Sequence, residues 1–184
     1  SFYGWYFPDE SEISYYMDEE FISYVNRYSA KVHSLSCKYK TLIAPYGTCK
    51  LKADENYINQ LKRLDVDFVA YQDEVGVKKT TENETAAFYK ALKKAHDIAN
   101  RSKLWADVEV FTFEGDVYKS ALIPANINRL KKQLEAISPY VEEIIIFEYQ
   151  GLFNEPGTIA FCGHVDSINY YKEYKKLLDE IEKN

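Results

Sequence analysis

Five short apolar runs, each followed by a stretch with helical spacing, constrain the fold of this chain more than any other feature. The clearest is Leu104-Trp105-Ala106-Asp107-Val108-Glu109-Val110-Phe111, which contains no proline or glycine and carries a carboxylate near its end. Strands are predicted over residues 2–7, 41–47, 66–73, 103–111 and 141–149. Such runs, alternating with helices, mean a parallel sheet covered by helices.

The helical spacing is equally regular. Over residues 17–35, Phe21, Ile22, Tyr24, Val25, Tyr28 and Val32 recur at intervals of three and four. Asp54 caps a short helix to residue 64 that buries Tyr57, Ile58, Leu61 and Leu64. The stretch 81–100 places Glu82 and Glu84 in its first turn and Phe88, Leu92, Ala95 and Ala99 on one face. Pro124 is expected to open a helix running to residue 137, with Leu130, Leu134 and Ile137 inward. A long loop over residues 150–165 leads to a last helix over 167–182.

Two architectures accept this β-α order: an open doubly wound sheet and an eight-fold β/α barrel. No GxGxxG or Walker pattern follows any strand, and Gly76 and Gly115 are isolated. Strand ends rich in carboxylates and amides suit a barrel, whose active site is built at that end. The expectation is therefore an α/β fold of the TIM-type (β/α) barrel class, as one domain over residues 1–184.

Composition excludes other classes. The formal charge of −6 argues against a nucleic-acid surface. No apolar run approaches the length of a membrane span. Three cysteines, Cys37, Cys49 and Cys162, do not read as a disulfide framework. The expected partner is a carbohydrate, with no nucleic acid, membrane or cofactor. His33 and His96 fall in helical patterns and read as surface or packing residues. Cys162-Gly163-His164 lacks a second ligand pair for zinc, so no metal site is assigned.

The chemistry gathers at strand ends. Glu10 and Glu109 each close a strand, and together would face one pocket as candidate catalytic groups. Side-chain alternation puts Trp105, Asp107 and Glu109 on one face of their strand and Ala106 and Val108 on the other. Asp107 reads as a structural hydrogen-bonding residue, since a carboxyl inside a barrel needs a partner. Candidate substrate-binding residues are Trp5, Asp9, Tyr46, Gln72, Asp73, Trp105, Glu148 and Tyr149. Phe153 follows in a loop long enough to cover a pocket.

Four motifs occur in register: Gly-Trp-Tyr-Phe-Pro-Asp-Glu at 4–10, Pro45-Tyr46, Gln72-Asp73-Glu74-Val75-Gly76 and the stretch 104–111. On these the sequence resembles the DUF4434 family, a group of unknown function similar to barrel-type glycoside hydrolases. The resemblance implies that the chain holds the fourth to eighth units of a barrel. It also implies a secreted or cell-envelope setting. In the large clan of retaining barrel glycosidases the acid/base glutamate ends the fourth strand and the nucleophile ends the seventh. Glu10 and Glu109 match those positions. Asp9 stands where the clan has asparagine, which alters hydrogen bonding to a sugar's 2-hydroxyl.

The reading that follows is a glycoside hydrolase with two glutamates, retaining by preference. Its alternatives are a non-catalytic carbohydrate-binding or interaction domain on the same scaffold, and a hydrolase using Mg²⁺ or Ca²⁺ held by carboxylates. Five strands of a barrel leave two open edges, so self-association or completion by a further segment is expected.

Overall fold

In the computed structural model, which describes residues 2–159, 161–181 and 183, five parallel strands form one sheet. These are β1 (Gly4–Tyr6), β2 (Lys40–Ile43), β3 (Phe68–Gln72), β4 (Lys103–Glu109) and β7 (Glu143–Phe147). They lie side by side in chain order, and every neighbouring pair is parallel. A doubly wound sheet reverses its strand order part-way. This one never does, so it curls as a parallel half-barrel.

The connections are α1 (Glu19–Leu35), α2 (Glu55–Arg63), α3 (Thr85–Ala99) and α4 (Ile127–Ile137), with α5 (Ser167–Ile181) after β7. Each of the first two starts at an aspartate. The Asp18 carboxylate accepts from the backbone of Glu20 and Phe21, and Asp54 does the same for Asn56 and Tyr57. These contacts satisfy amides that a helix start leaves free. The last residue expected in the final helix, Glu182, lies outside the described residues.

Two helix starts differ from expectation. The third helix begins at Thr85, because the Glu84 carboxylate folds back onto the Thr81 amide and hydroxyl. Its buried stripe is Thr85, Tyr89, Leu92, Ala95 and His96, so Tyr89 replaces Phe88. Pro124 does not open a helix. It ends β6 (Leu122–Pro124), which pairs antiparallel with β5 (Phe111–Phe113). The eight-residue connection between them carries no tight-turn signature that would have announced a hairpin. Asn126 then caps α4.

Alternation gives the sheet two unlike faces. Ile43, Val69, Tyr71, Leu104, Ala106 and Val108 meet Val25, Leu61, Leu92 and Leu130 of the helices in one core. The opposite face carries Tyr6, Leu42, Phe68, Gln72, Trp105 and Asp107. β1 and β7 each have one neighbour, so both sheet edges are open among the described residues. Phe153, expected as a pocket cover, is fully buried and stacks on Tyr170 of α5.

The core holds one polar chain. Tyr57 Oη lies 2.5 Å from Tyr71 Oη, which lies 2.9 Å from His96 Nε2, and His96 Nδ1 lies 3.1 Å from the Ser102 carbonyl. A carbonyl only accepts, so Nδ1 carries the hydrogen and Nε2 accepts from Tyr71. Tyr57 then donates to Tyr71. Burial pushes the His96 imidazole down to about 4, so it is neutral near pH 7. Replacing Tyr71 by Phe strands Tyr57 Oη and His96 Nε2, and is expected to cost about 1–3 kcal/mol in urea unfolding. A loss below about 0.5 kcal/mol would contradict this account of the network.

Candidate active site

The C-terminal ends of β3 and β4 are fastened to each other and to α4 by one carboxylate. Asp73 follows β3 and is 1% exposed. Its Oδ1 accepts from the amides of Val75 at 3.3 Å and Glu109 at 3.1 Å. Its Oδ2 accepts from Gln133 Nε2 at 2.6 Å. Gln133 also donates to the Glu109 carbonyl at 3.2 Å. Arg129, one turn earlier on α4, donates to the carbonyls of Glu109 and Phe111, both at 2.7 Å. The backbone on both sides of Glu109 is thus held from the helix layer.

The Glu109 side chain turns under the loop that follows Asp73. Its Oε2 accepts from the Val77 amide at 2.8 Å. Gly76 lies directly over it. A Cβ at that position would stand 2.8 Å from Glu109 Oε2 and 2.9 Å from the Phe111 carbonyl, so only glycine fits. Burial, then the charges of Asp73, Glu74 and Asp107, push the Glu109 carboxyl up to about 8 against the single opposing hydrogen bond. Asp107 goes up to about 7, from burial and then Asp73 and Glu10. Asp73 goes up to about 6, because burial outweighs its three donors. Several buried acids in one small volume cannot all ionise, so protons are held there near neutral pH.

Glu10 approaches from the other side. It follows β1, and both its oxygens are engaged: Tyr6 Oη donates to Oε1 at 2.7 Å and Gln72 Nε2 to Oε2 at 3.1 Å. Gln72 is the register neighbour of Asp107. Glu10 is therefore drawn across β2 toward the middle of the sheet, level with Asp107. Its charge acts on Asp107 and on the Tyr6 phenol. Among the described residues, no group of three His, Cys, Asp or Glu side chains is placed to hold a metal ion.

The other sequence-predicted residues divide. Gln72 and Trp105 share the cleft face with Glu10, and the Trp105 ring stacks on Phe68 with centroids 4.1 Å apart. Asp73 lies behind the strand ends and positions the backbone. Tyr46 sits at the end of β2 with Lys79 Nζ 5.0 Å from its ring centroid. Lys79 in turn pairs with the buried Glu74 at 3.0 Å. Trp5 borders a depression together with Trp105 and Phe68, but its ring packs against the start of the chain. It alternates with Tyr6, pairs in register with the helix-side Thr41, and packs on Phe2 and Tyr39. Asp9 is exposed beside α1, where its charge acts on Tyr24. Tyr149 stacks on Phe153 toward α5, away from Glu10, and Glu148 precedes it after β7.

Sequence reasoning passed over Arg129, Gln133 and Tyr6. A signal existed for Gln133. It stands one turn from both Leu130 and Ile137, a polar residue on an apolar stripe, and it is fully buried. Tyr6 precedes Glu10 by four residues, but that contact needs the turn at Pro8 to close.

With the geometry in place, comparison with known proteins gives a family. The model of the domain of unknown function DUF4434 matches residues 1–160 of the 184. The chain belongs to the DUF4434 family. Among solved structures, this DUF4434 chain resembles a candidate alpha-L-fucosidase from Bacteroides thetaiotaomicron, with a TM-score of 0.75 and 20% identity. The likeness covers 97% of this chain and 57% of that one. At that identity it is a likeness of fold, and the DUF4434 chain spans just over half of its neighbour. A thermostable mutant of a Cellvibrio japonicus xylanase shows a TM-score of 0.44 and 12% identity, over 68% of this chain and 43% of its own. Curated proteins gave no match.

A consequence for stability follows from the buried acids. The Glu109 carboxyl is raised from 4.5 to about 8 in the fold. The unfolded chain releases that proton first, so this group's contribution is whole below pH 4.5 and lost as pH rises to about 8. Relative to the parent protein, Glu109→Gln should gain stability steadily over that range and level off above it. The total is on the order of a few kcal/mol. A difference in melting temperature that stays constant between pH 5 and pH 9 would contradict it.

Proposed function

We propose that the chain is the catalytic part of a glycoside-hydrolase-like (β/α) barrel, with its strands as the fourth to eighth of eight. What supports this reading is that the two glutamates following β1 and ending β4 stand in unlike settings. Glu109 is buried among carboxyls that hold its proton, while Glu10 accepts two hydrogen bonds at the open side of the cleft.

These environments suit roles opposite to those the family resemblance implies. A buried carboxyl that keeps its proton near neutral pH suits a general acid. A carboxylate held by two donors suits attack on the anomeric carbon. In the proposed reaction Glu109 gives its proton to the glycosidic oxygen as the bond to the anomeric carbon breaks. Glu10 forms the bond that replaces it. Water, losing its proton to Glu109, then releases the sugar from Glu10, with retention of configuration. The substrate class is a glycan. The fold likeness makes aryl α-L-fucosides a sensible member of a test panel.

Leaving groups separate the roles. A 2,4-dinitrophenyl glycoside needs no proton on departure, whereas an alkyl glycoside does. Glu109→Gln is expected to lower kcat/KM about 10²- to 10⁴-fold for alkyl glycosides yet leave most of it for dinitrophenyl ones, since that ratio reports the first bond cleavage and not the later water step. Glu10→Gln should lose both. Equal losses on both substrates in Glu109→Gln would reverse the assignment, and undiminished cleavage in both variants would remove the pair from the reaction.

The open edges of β1 and β7 support a further part of this reading: the isolated 184-residue chain pairs with another copy of itself through them. Light scattering should then show a mass that rises with concentration. A mass of one chain at every concentration would count against it.

A further inference from the structure

Asp107 is the one acid of this cleft whose carboxyl group the protein leaves without a hydrogen bond or ion pair. It is 7% exposed, and its backbone is held in the sheet, with its carbonyl accepting from the Asp73 amide at 3.0 Å. Asp73 has three side-chain partners, Glu10 two, and Glu109 and Glu74 one each. The side-chain oxygens of Asp107 have none among the described residues, although they retain some access to solvent. The expectation that Asp107 is a structural hydrogen-bonding residue therefore finds no partner to support it. Burying a carboxyl without one weakens a fold.

The surroundings say what that group can receive. Trp105, two residues earlier, lies on the same face and one pleat deeper. Its ring is backed by Phe68 at an interplanar angle of 25°. A depression of about 210 Å³ opens beside it toward the start of β1, bounded by Trp105, Phe68, Leu42, Tyr6 and Trp5. Glu10 and Tyr6 stand near Asp107, close enough for the Glu10 charge to act on Asp107 and for both charges to act on the Tyr6 phenol. An acceptor pair next to a supported indole matches one chemistry well. A sugar ring offers hydroxyl donors at its rim and an apolar C–H face.

We propose that Asp107 is a substrate-binding residue whose two free oxygens accept hydrogen bonds from neighbouring hydroxyls of one sugar unit, packed face-on against Trp105. The assignment rests on the glycan reading above and deepens it. Asp107 and Trp105 form the floor of the cleft, and Glu10 and Glu109 act at its rim.

Fluorescence can test this, because the chain contains two tryptophans, Trp5 and Trp105. Trp5 packs on Phe2 and Tyr39, and a Trp5→Phe background, used in every protein compared, leaves Trp105 as the tryptophan reporter. This protein is titrated with methyl glycosides of neutral pentoses, hexoses and 6-deoxyhexoses. At least one should change the emission saturably. Adding Asp107→Asn should weaken that sugar about 10- to 100-fold. The same variant should melt at pH 8 no lower than its parent, since a neutral amide is easier to bury than an unpaired acid. A merely structural aspartate would give the opposite melting result.

The proposal is overturned if no member of the panel binds, if Asp107→Asn binds as tightly as its parent, or if that variant melts several degrees lower. Asp107-dependent binding in a protein that cleaves no glycoside would uphold this assignment and overturn the hydrolase. Cleavage undiminished in Asp107→Asn would do the reverse.

Discussion

The carboxylate of Asp73 holds the C-terminal end of the sheet together. Three donors from three places converge on it: the Val75 amide in its own loop, the Glu109 amide at the end of β4, and Gln133 from α4. Parallel strands end with backbone groups that the ladder no longer satisfies. Here a side chain answers them, and in doing so fixes where Glu109 stands. Arg129 repeats the device from the other side by holding the carbonyls of Glu109 and Phe111. The helix layer therefore does more than cover the sheet. It locates the backbone from which the reactive side chain projects.

That arrangement has an electrostatic cost, and the cost is useful. Asp73, Asp107 and Glu109 are each raised by burial first, and the charge of Asp73 adds to the rise of Asp107 and Glu109. An apolar set in these places would make a more stable protein. The acids instead keep protons near neutral pH. The contrast with the other face of the sheet is sharp. There the polar chain from Tyr57 to Ser102 is satisfied at every link, and its histidine stays neutral. The helix side is not wholly satisfied, since the buried Ser102 and Tyr170 hydroxyls have no partner among the described residues.

Much of this was legible in the residues. The β-α alternation, the inward set Trp105, Asp107 and Glu109, and the caps at Asp54 and Asn126 depend on periodicity and on local hydrogen bonding. Of these, only the Asn126 cap escaped, because Pro124 offered a competing start for the helix. The hairpin of β5 and β6 escaped for a different reason: antiparallel pairing across an eight-residue connection leaves no local mark. Trp5 was misdirected by nearness in sequence to Glu10. In a strand, adjacent side chains face opposite ways, and the register with Thr41 settles which way each one points.

The sequence by itself determined the parallel helix-covered sheet and the carboxylates at its strand ends, because periods of two and of three to four are properties of the chain alone. Only the tertiary structure decided what each carboxylate does. Asp73 became a fastener, Glu109 a holder of protons, Glu10 a hydrogen-bonded carboxylate and Asp107 an acid without a partner. Those differences come from burial and from donors tens of residues away, such as Gln133 on α4 and Gln72 on β3. The opening strand shows both halves of this. Its pattern placed Asp107 and Glu109 on one face, and the fold around them made their carboxyl groups unlike.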